Sequence, residues 1–156
     1  MKPTDRRDSK IRLGISSCLL GQKVRFDGNH KHDSFLTGTL GKFFDWVAVC
    51  PEVAVGLGVP RPPIRLVGSP TAPRAVGVKD PEMDVTDKLA AYGRQQARYL
   101  DDISGYVFKS KSPSCGMERV KIYRRSGPPV AGRGIYADAL LCAQPWLPAE
   151  EEGRLS

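Results

Sequence analysis

The pattern of apolar positions along this chain alternates between two periods. Short runs rich in β-branched and aromatic residues predict strands, because such side chains pack well on a pleated surface. These runs are Ile11–Cys18, Trp46–Cys50, Ala75–Val78 and Ile103–Phe108. The run at Trp46–Cys50 is apolar throughout and is stopped by Pro51, which is typical of a strand covered on both faces. The proline-rich stretch Val59–Leu66 is expected to be extended or a loop.

Other segments repeat their apolar residues at helical spacing. The clearest, Asp84–Asp102, has one apolar face and offers Asp84 or Thr86 as its N-cap. That face comprises Leu89, Tyr92, Ala97 and Leu100. A helix is also predicted at Ser34–Phe44, with Ser34 as its N-cap, and a short one at Tyr136–Ala143. Strands that alternate with helices predict an α/β fold in a single domain, with a mostly parallel sheet flanked by helices in Rossmann-like layers.

Length and composition suggest the domain boundaries. With 156 residues, the chain is long enough for one domain with its own core. We assign residues 1–10 to a flexible polar segment, 11–148 to the domain, and 149–156 to a tail or a linker to a second domain. The first residues lack the apolar segment of a signal peptide, and no apolar run approaches the roughly 18 residues of a membrane span. We therefore expect a cytoplasmic protein with reduced cysteines and no membrane partner.

Three of the four cysteines share a position relative to the predicted strands. Cys18, Cys50 and Cys115 each lie at or just beyond the carboxyl end of a strand. In open α/β sheets, ligands bind in the crevice outside those ends, so the three thiols are expected to converge there. Cys142 lies in the middle of a predicted helix after two leucines, and we interpret it as an ordinary core residue.

A site built from three thiols suits a metal centre with an open position. A closed structural zinc site takes four ligands, usually as close pairs such as C-x-x-C, and this chain has no such pair. Three protein ligands leave one position for substrate, whether the metal is a catalytic zinc ion or an iron–sulfur cluster. Spacing alone leaves both centres open, together with a chance placement of the cysteines.

Residues beside the cysteines offer further chemistry. Glu52 follows Cys50 by two positions and is a candidate general acid or base, although a solvent-exposed glutamate at a strand end would look the same. Ser112 and Ser114 precede Cys115 closely, and they either donate hydrogen bonds at the site or simply form a turn. The two histidines lie in a loop and are not counted as ligands.

The charge balance favours an anionic partner. The chain carries 24 Lys and Arg against 17 Asp and Glu, a net charge of +7, and the stretch Met117–Gly127 is strongly basic. RNA is a candidate partner, the alternative being a merely basic surface. Phosphate-binding loops of the P-loop and dinucleotide-binding types are missing, which argues against a nucleotide-driven ligase or a dehydrogenase.

Four motifs, in this order, resemble those of the thiouracil desulfurase family. They are SSCLLGQKVRFDG from Ser16, VCPEVAVGLGVPRPP from Val49, DVT from Asp84 and KSKSPSCG from Lys109. The resemblance implies an α/β domain in which Cys18, Cys50 and Cys115 hold a 4Fe–4S cluster with one open iron. That iron would bind the sulfur of a thiolated pyrimidine, and the sulfur would leave without net redox change. The resemblance also implies catalytic roles for Glu52 and Ser112.

The region after Cys115 and the acidic end of the chain are similar to two-domain relatives of that family, in which this module precedes a second domain. Those relatives resemble enzymes that remove sulfur from 4-thiouridine in transfer RNA. Free thiouracil, thiouridine and transfer RNA are therefore all candidate substrates. Two other functions stay open: a three-cysteine zinc hydrolase acting on a nucleobase, and a cluster-bearing RNA-binding module without catalysis.

Overall fold

The computed structural model of the chain describes residues 10–155, which contain two four-stranded sheets and three α-helices. The strands are β1 (Ile11–Ser16), β2 (Phe44–Val49), β3 (Ile64–Ser69), β4 (Ala72–Gly77), β5 (Tyr106–Phe108), β6 (Val120–Tyr123), β7 (Val130–Gly132) and β8 (Ala149–Glu151). The helices are α1 (Pro51–Ala54), α2 (Thr86–Tyr99) and α3 (Ile135–Ala143). None of these described helices is long and apolar enough to cross a membrane.

The first sheet is parallel throughout and has the strand order β2-β1-β5-β8. Its longest pairing joins β1 and β2, from Ile11 opposite Phe44 to Ser16 opposite Val49. Because β5 runs parallel on the other side of β1, the carboxyl ends of three neighbouring strands meet at one edge. The predicted α/β fold with a parallel sheet is confirmed, and this edge is where such sheets bind ligands.

The second sheet has the strand order β4-β3-β6-β7 and is mixed. Two antiparallel hairpins, β3–β4 and β6–β7, are joined by a parallel pair between β3 and β6. Side chains of its inner face, among them Leu66, Ala75 and Ile122, form one core cluster with residues of α2 and α3. The sequence predicted β4 in part and did not predict β6 or β7, because strands of three or four residues are too short to show a clear alternation.

The helices α2 and α3 pack closely and contribute to the cores under both sheets. Gly93 permits this approach, since a Cβ at that position would lie 2.7 Å from the Cβ of Ala139 and 2.9 Å from the carbonyl oxygen of Tyr136. At the start of α2, the Asp84 carboxylate accepts a hydrogen bond from the Thr86 amide at 2.9 Å. The N-cap residue is nevertheless Val85, which lies between the two predicted caps, so neither Asp84 nor Thr86 is the N-cap.

The segment Ser34–Phe44 does not form the predicted α-helix. A short π-helix and a 3-10 turn occupy residues 35–42, and Phe44 already begins β2. Two glycines lower the helix propensity of the segment, while pairing with β1 draws its end into the sheet. The Asp33 carboxylate, rather than Ser34, accepts hydrogen bonds from the first amides, at 3.0 and 3.2 Å.

Two features of the last residues also differ from expectation. Cys142 is exposed rather than part of the core, because Tyr136 and Leu140 occupy the buried face of α3. Residues Ala149–Glu151, which the sequence assigned to a tail or linker, form β8 and pair with β5. The boundary drawn after residue 148 therefore separates β8 from the strand with which it pairs. The predicted flexible segment covers residues 1–10, and residues 1–9 of it lie outside the described residues. The rest of the domain assignment therefore stays a prediction.

Candidate active site

A cleft of about 370 Å³ opens at the carboxyl ends of β1, β2 and β5. The five residues that the sequence singled out as candidate site residues line this cleft. They are Cys18, Cys50, Glu52, Ser112 and Cys115. The fold thus brings together side chains from three separated parts of the chain.

Two of the cysteines follow their strands directly. Cys18 lies in a 3-10 turn after β1, and Cys50 follows the last residue of β2. Burial raises the pKa of the Cys18 thiol, while the charges of Arg25 and Lys109 oppose that rise. Burial raises the pKa of the Cys50 thiol as well. Both thiols therefore favour the protonated form more than an exposed cysteine does.

Cys115 lies in a tight turn that docks on the start of α3. The Oγ atom of Ser112 accepts hydrogen bonds from the amides of Ser114 at 3.2 Å and Cys115 at 3.1 Å. The carbonyl oxygens of Pro113 and Ser114 accept hydrogen bonds from amides in the first turn of α3, each at 3.0 Å. The turn lies so close to Gly134 that a Cβ there would be 2.5 Å from the carbonyl carbon of Ser114. These contacts fix where the thiol enters the cleft.

The last residue of β8 and the residue after it hold the same turn through their carboxylates. Glu152 accepts a hydrogen bond from the Ser110 amide at 2.7 Å, and Glu151 accepts one from the Met117 amide at 2.9 Å. Glu151 is almost fully buried. The two side chains therefore bind the backbone on either side of Cys115. Their acidic sequence near the end of the chain did not indicate this role.

The Cys115 thiol is buried beside other groups that carry negative charge when ionised. Burial is the largest cause that raises its pKa well above the ordinary value of 9.0. The charges of Cys50 and Glu52 raise the pKa further, against a hydrogen bond with Ser16. A thiol in this setting stays protonated at neutral pH unless a metal replaces the proton. Three such thiols in one cleft suit a cationic centre that deprotonates them on binding.

The donors in the cleft are chemically suited to a metal centre, because thiolates bind both zinc ions and iron–sulfur clusters. Thiolates on one tetrahedral zinc ion, bound at about 2.3 Å, lie only about 3.8 Å from one another, whereas thiolates that each bind a different iron of a cluster are spaced more widely. Within residues 10–155, no three His, Cys, Asp or Glu side chains are grouped so as to hold one metal ion. Cys18, Cys50 and Cys115, which line the same cleft, are the residues that would hold a cluster.

Two donors hold the Glu52 carboxylate. Nε of Arg61 donates to one oxygen at 3.0 Å, and Oγ of Ser114 donates to the other at 2.8 Å. The side chains of Glu52 and Arg61 are only 13% and 4% exposed. Nη1 of Arg61 also donates to the carbonyl oxygens of Val24 and Gly58, at 2.7 and 2.9 Å. Arg61 therefore orients the carboxylate and joins the two loops beside it.

Sequence reasoning did not identify Arg61, and it did not separate the roles of the two serines. Ser114 contacts Glu52, whereas Ser112 shapes the turn. An arginine in a proline-rich loop resembles an ordinary surface cation. Only the burial of Arg61, whose whole residue is 8% exposed, indicates a charged partner, and burial is not visible in the sequence.

The charges around the cleft are mostly basic. Among the lining residues that the structure describes, Glu52 is the one acidic side chain. The basic ones are Arg25, Lys31, Arg61, Lys109 and Lys111. The two histidines are exposed and do not line the cleft, which agrees with their omission from the predicted ligands. This balance favours an anionic or electron-rich ligand.

Comparison with known families identifies the chain. The family model for 2-thiouracil desulfurase matches residues 13–152, which is nearly the whole described chain. This chain belongs to the 2-thiouracil desulfurase family. The matched region includes nearly all of both sheets and every cysteine of the cleft, so the resemblance inferred from the four motifs is confirmed.

Two relatives show how far the family likeness extends. YbbK of Bacillus subtilis (strain 168), an uncharacterized protein, is 29% identical over 135 residues, covering 81% of this chain and 87% of its own. A solved structure, the 4Fe–4S-dependent thiouracil desulfidase TudS, is 33% identical and covers 94% of this chain and 93% of its own. Its TM-score of 0.72 shows that this chain and that structure share one fold.

Proposed function

We propose that this chain is an iron–sulfur-dependent desulfidase that removes sulfur from thiolated pyrimidines. One observation carries the proposal: the thiols of Cys18, Cys50 and Cys115 line a single cleft that also contains the Glu52 carboxylate. Membership of the 2-thiouracil desulfurase family and the likeness to a 4Fe–4S-dependent thiouracil desulfidase support it. When bound through three cysteines, a 4Fe–4S cluster supplies an open iron that polarises the thiocarbonyl group as a Lewis acid.

The proposed reaction replaces a carbon–sulfur double bond with a carbon–oxygen double bond. One water supplies its oxygen to the carbon, and the sulfur departs as hydrogen sulfide with both hydrogens of that water. Thiouracil gives uracil, and thiouridine gives uridine. Because no electrons are gained or lost, the reaction needs no reductant or oxidant.

Glu52 is the proposed general base. Each carboxylate oxygen has two lone pairs, so the contacts with Arg61 and Ser114 leave one on each oxygen for a water. The carboxylate takes a proton from the attacking water and returns it to the departing sulfur. The hydroxyl oxygen of Ser112 already accepts two amide hydrogens, and its own hydrogen is free to bind the substrate.

The basic lining of the cleft supports a substrate that carries negative charge. We therefore include 4-thiouridine in transfer RNA among the substrates, beside free thiouracil and thiouridine. We place the reaction in the cytoplasm, because cluster-binding thiols require a compartment that keeps cysteines reduced.

Metal analysis of protein prepared without oxygen tests the cofactor. We expect about four irons and four sulfides per chain, lost in a Cys115→Ala variant. Cys142→Ala is the matched control and should retain them, since its thiol is exposed outside the cleft. One zinc per chain without iron would overturn the cluster.

An activity assay tests the reaction itself. The loaded protein is incubated without any electron donor with 2-thiouracil, 4-thiouridine and transfer RNA that contains 4-thiouridine. Equal amounts of oxo base and sulfide are expected. A requirement for a stoichiometric reductant would contradict the non-redox reaction, and no turnover of any of the three compounds would contradict the desulfidase.

A further inference from the structure

One face of the second sheet is exposed to solvent at β6 and β7 and half-buried at β3. Its opposite face packs with α2 and α3, and the alternating residues of the same strands point away from that core. The register of β3, β6 and β7 places Arg65, Val67, Lys121, Tyr123 and Ala131 together on this side. We call it the outer face of the second sheet. Its residues in β6 and β7 are exposed, as residues are both on a binding surface and on an ordinary solvent-facing surface.

The outer face is strongly basic. The four strands of the sheet contain no acidic residue, and residues 119–137 contain several basic residues but no acidic one. Within residues 10–155, Lys121 and the nearby Arg124 and Arg125 form no salt bridge, whereas Arg119 and Arg133 each lie 3.7 Å from a carboxylate. Positive charge that no side chain within residues 10–155 pairs with favours an anionic polymer.

Tyr123 provides an aromatic platform on the same face. The guanidinium carbon of Arg65 lies 4.9 Å from the centre of the Tyr123 ring, and Tyr123 is 37% exposed. Among the described residues, Nε of Arg65 is buried without a hydrogen-bond partner. Aromatic rings and arginine planes beside basic side chains are the groups on which unpaired bases stack.

Strand β3 begins at the cleft. Ile64, its first residue, lines the cleft and belongs to the core side of the strand, whereas the next residue, Arg65, points to the outer face. A nucleotide chain with one base in the cleft would therefore pass the start of β3 to reach the exposed sheet.

We propose that the outer face of the second sheet binds single-stranded RNA that carries the thiolated base held in the cleft. Phosphates lie against Lys121 and Arg125, and an unpaired base stacks on Tyr123. This inference rests on the proposed function, since it names RNA as the carrier of the thiolated pyrimidine. A second copy of the chain suits the face poorly because two basic surfaces repel, and an acidic protein would leave the stacking platform unused.

Fluorescence anisotropy with a labelled oligouridine, measured on the full chain at several salt concentrations, tests the proposal. The double variant Lys121→Ala/Arg125→Ala should bind at least about tenfold more weakly. The slope of log affinity against log salt concentration should be less steep by about 1.4, because each phosphate contact with a single strand contributes about 0.7 to that slope. Tyr123→Ala should also bind about tenfold more weakly, with an unchanged salt dependence.

The matched control, Lys42→Ala/Lys88→Ala, removes the same charge from exposed positions on other elements and should bind as the intact chain does. Equal weakening in the two double variants would overturn the proposal. So would an absence of oligouridine binding, or equal affinity for polyglutamate. Turnover of free 2-thiouracil should be the same in Lys121→Ala/Arg125→Ala as in the intact chain. If neither protein turns over any of the three thiolated compounds, the proposed function fails, whereas turnover by an intact chain that does not bind oligouridine refutes only the RNA-binding face.

Discussion

Arg61 and Glu52 form a nearly buried ion pair in the wall of the cleft, with Nε of Arg61 3.0 Å from a carboxylate oxygen. The same guanidinium is fixed by two backbone carbonyls, so it cannot swing away with the carboxylate. A charge taken out of water needs such a partner, because its desolvation is otherwise uncompensated. The direction in which Glu52 faces the cleft therefore depends on Arg61.

Replacing Arg61 should weaken the fold more than replacing an exposed arginine. Arg61→Ala leaves the Glu52 carboxylate without its charged partner, and we expect a loss of about 3–5 kcal/mol in the free energy of unfolding. The control is Arg74→Ala, which breaks a more exposed pair with Asp84 that solvent screens, so its loss should be much smaller. Urea unfolding of both variants measures the difference, and equal losses would show that the Arg61 pair is not specially stabilising.

Glu52→Gln should abolish turnover without removing the metal centre. The amide preserves the size of the side chain but cannot accept the proton, and we expect kcat to fall by about 10²–10⁴-fold. Iron and sulfide content should equal that of the intact chain. Glu82→Gln, at an exposed position, is the matched control for the loss of one carboxylate. Normal turnover by Glu52→Gln would show that the base is another group.

The two serines before Cys115 should respond differently. Ser112→Ala leaves two amides of the turn without their acceptor and should cost about 1–3 kcal/mol in stability together with part of the iron content. Ser112→Thr keeps the oxygen and should restore both. Ser114→Ala should keep the iron but lower kcat, because it frees one oxygen of Glu52. The same iron loss in both alanine variants would contradict this division of roles.

Gly134→Ala should disturb the Cys115 turn. A Cβ at position 134 would lie 2.5 Å from the carbonyl carbon of Ser114 and 2.8 Å from the Cys115 amide nitrogen, and both are backbone atoms that cannot rotate away. We expect a lower melting temperature and a lower iron content. Gly38→Ala, where a Cβ meets nothing within 4 Å, is the control and should change neither. Full iron content in Gly134→Ala would show that the turn can shift without losing the ligand.

The metal-free protein should lose stability at alkaline pH. Because the pKa of Cys115 lies well above its ordinary value of 9.0, the folded state holds this proton more tightly than the unfolded state. That contribution is complete below about pH 9 and is lost as the pH rises toward the folded-state pKa. The free energy of unfolding, measured with urea at a series of pH values, should fall less steeply in Cys115→Ala than in Cys142→Ala. Equal slopes would contradict the raised pKa.

The sheet edge was predictable because it depends on short-range patterns. Apolar runs located β1, β2 and β5, and parallel strands must end at a common edge, so the convergence of Cys18, Cys50 and Cys115 on one cleft followed. The helix predicted at Ser34–Phe44 failed because pairing of Phe44 with β1 overrides the apolar spacing. Local propensity is a weak guide where a tertiary contact competes with it.

The residues that position Glu52 and the Cys115 turn were only partly predictable. Ser114 was a candidate hydrogen-bond donor, whereas Arg61, Glu151 and Glu152 were not identified because their residue types are equally common on surfaces. A pair of glutamates near the end of a chain resembles a solvated tail. Their burial depends on β8 joining β5, and a strand of three residues leaves too little pattern to predict that pairing.

The contacts of Glu151 and Glu152 with the Cys115 turn also affect when the site can form during synthesis of the chain. Glu151 contacts a residue 34 positions earlier, and Glu152 contacts one 42 positions earlier. On the ribosome, the Cys115 turn is made before either carboxylate exists. A growing chain therefore presents this thiol on a turn that is not yet clamped, and the site takes its final shape only after translation has passed Glu152.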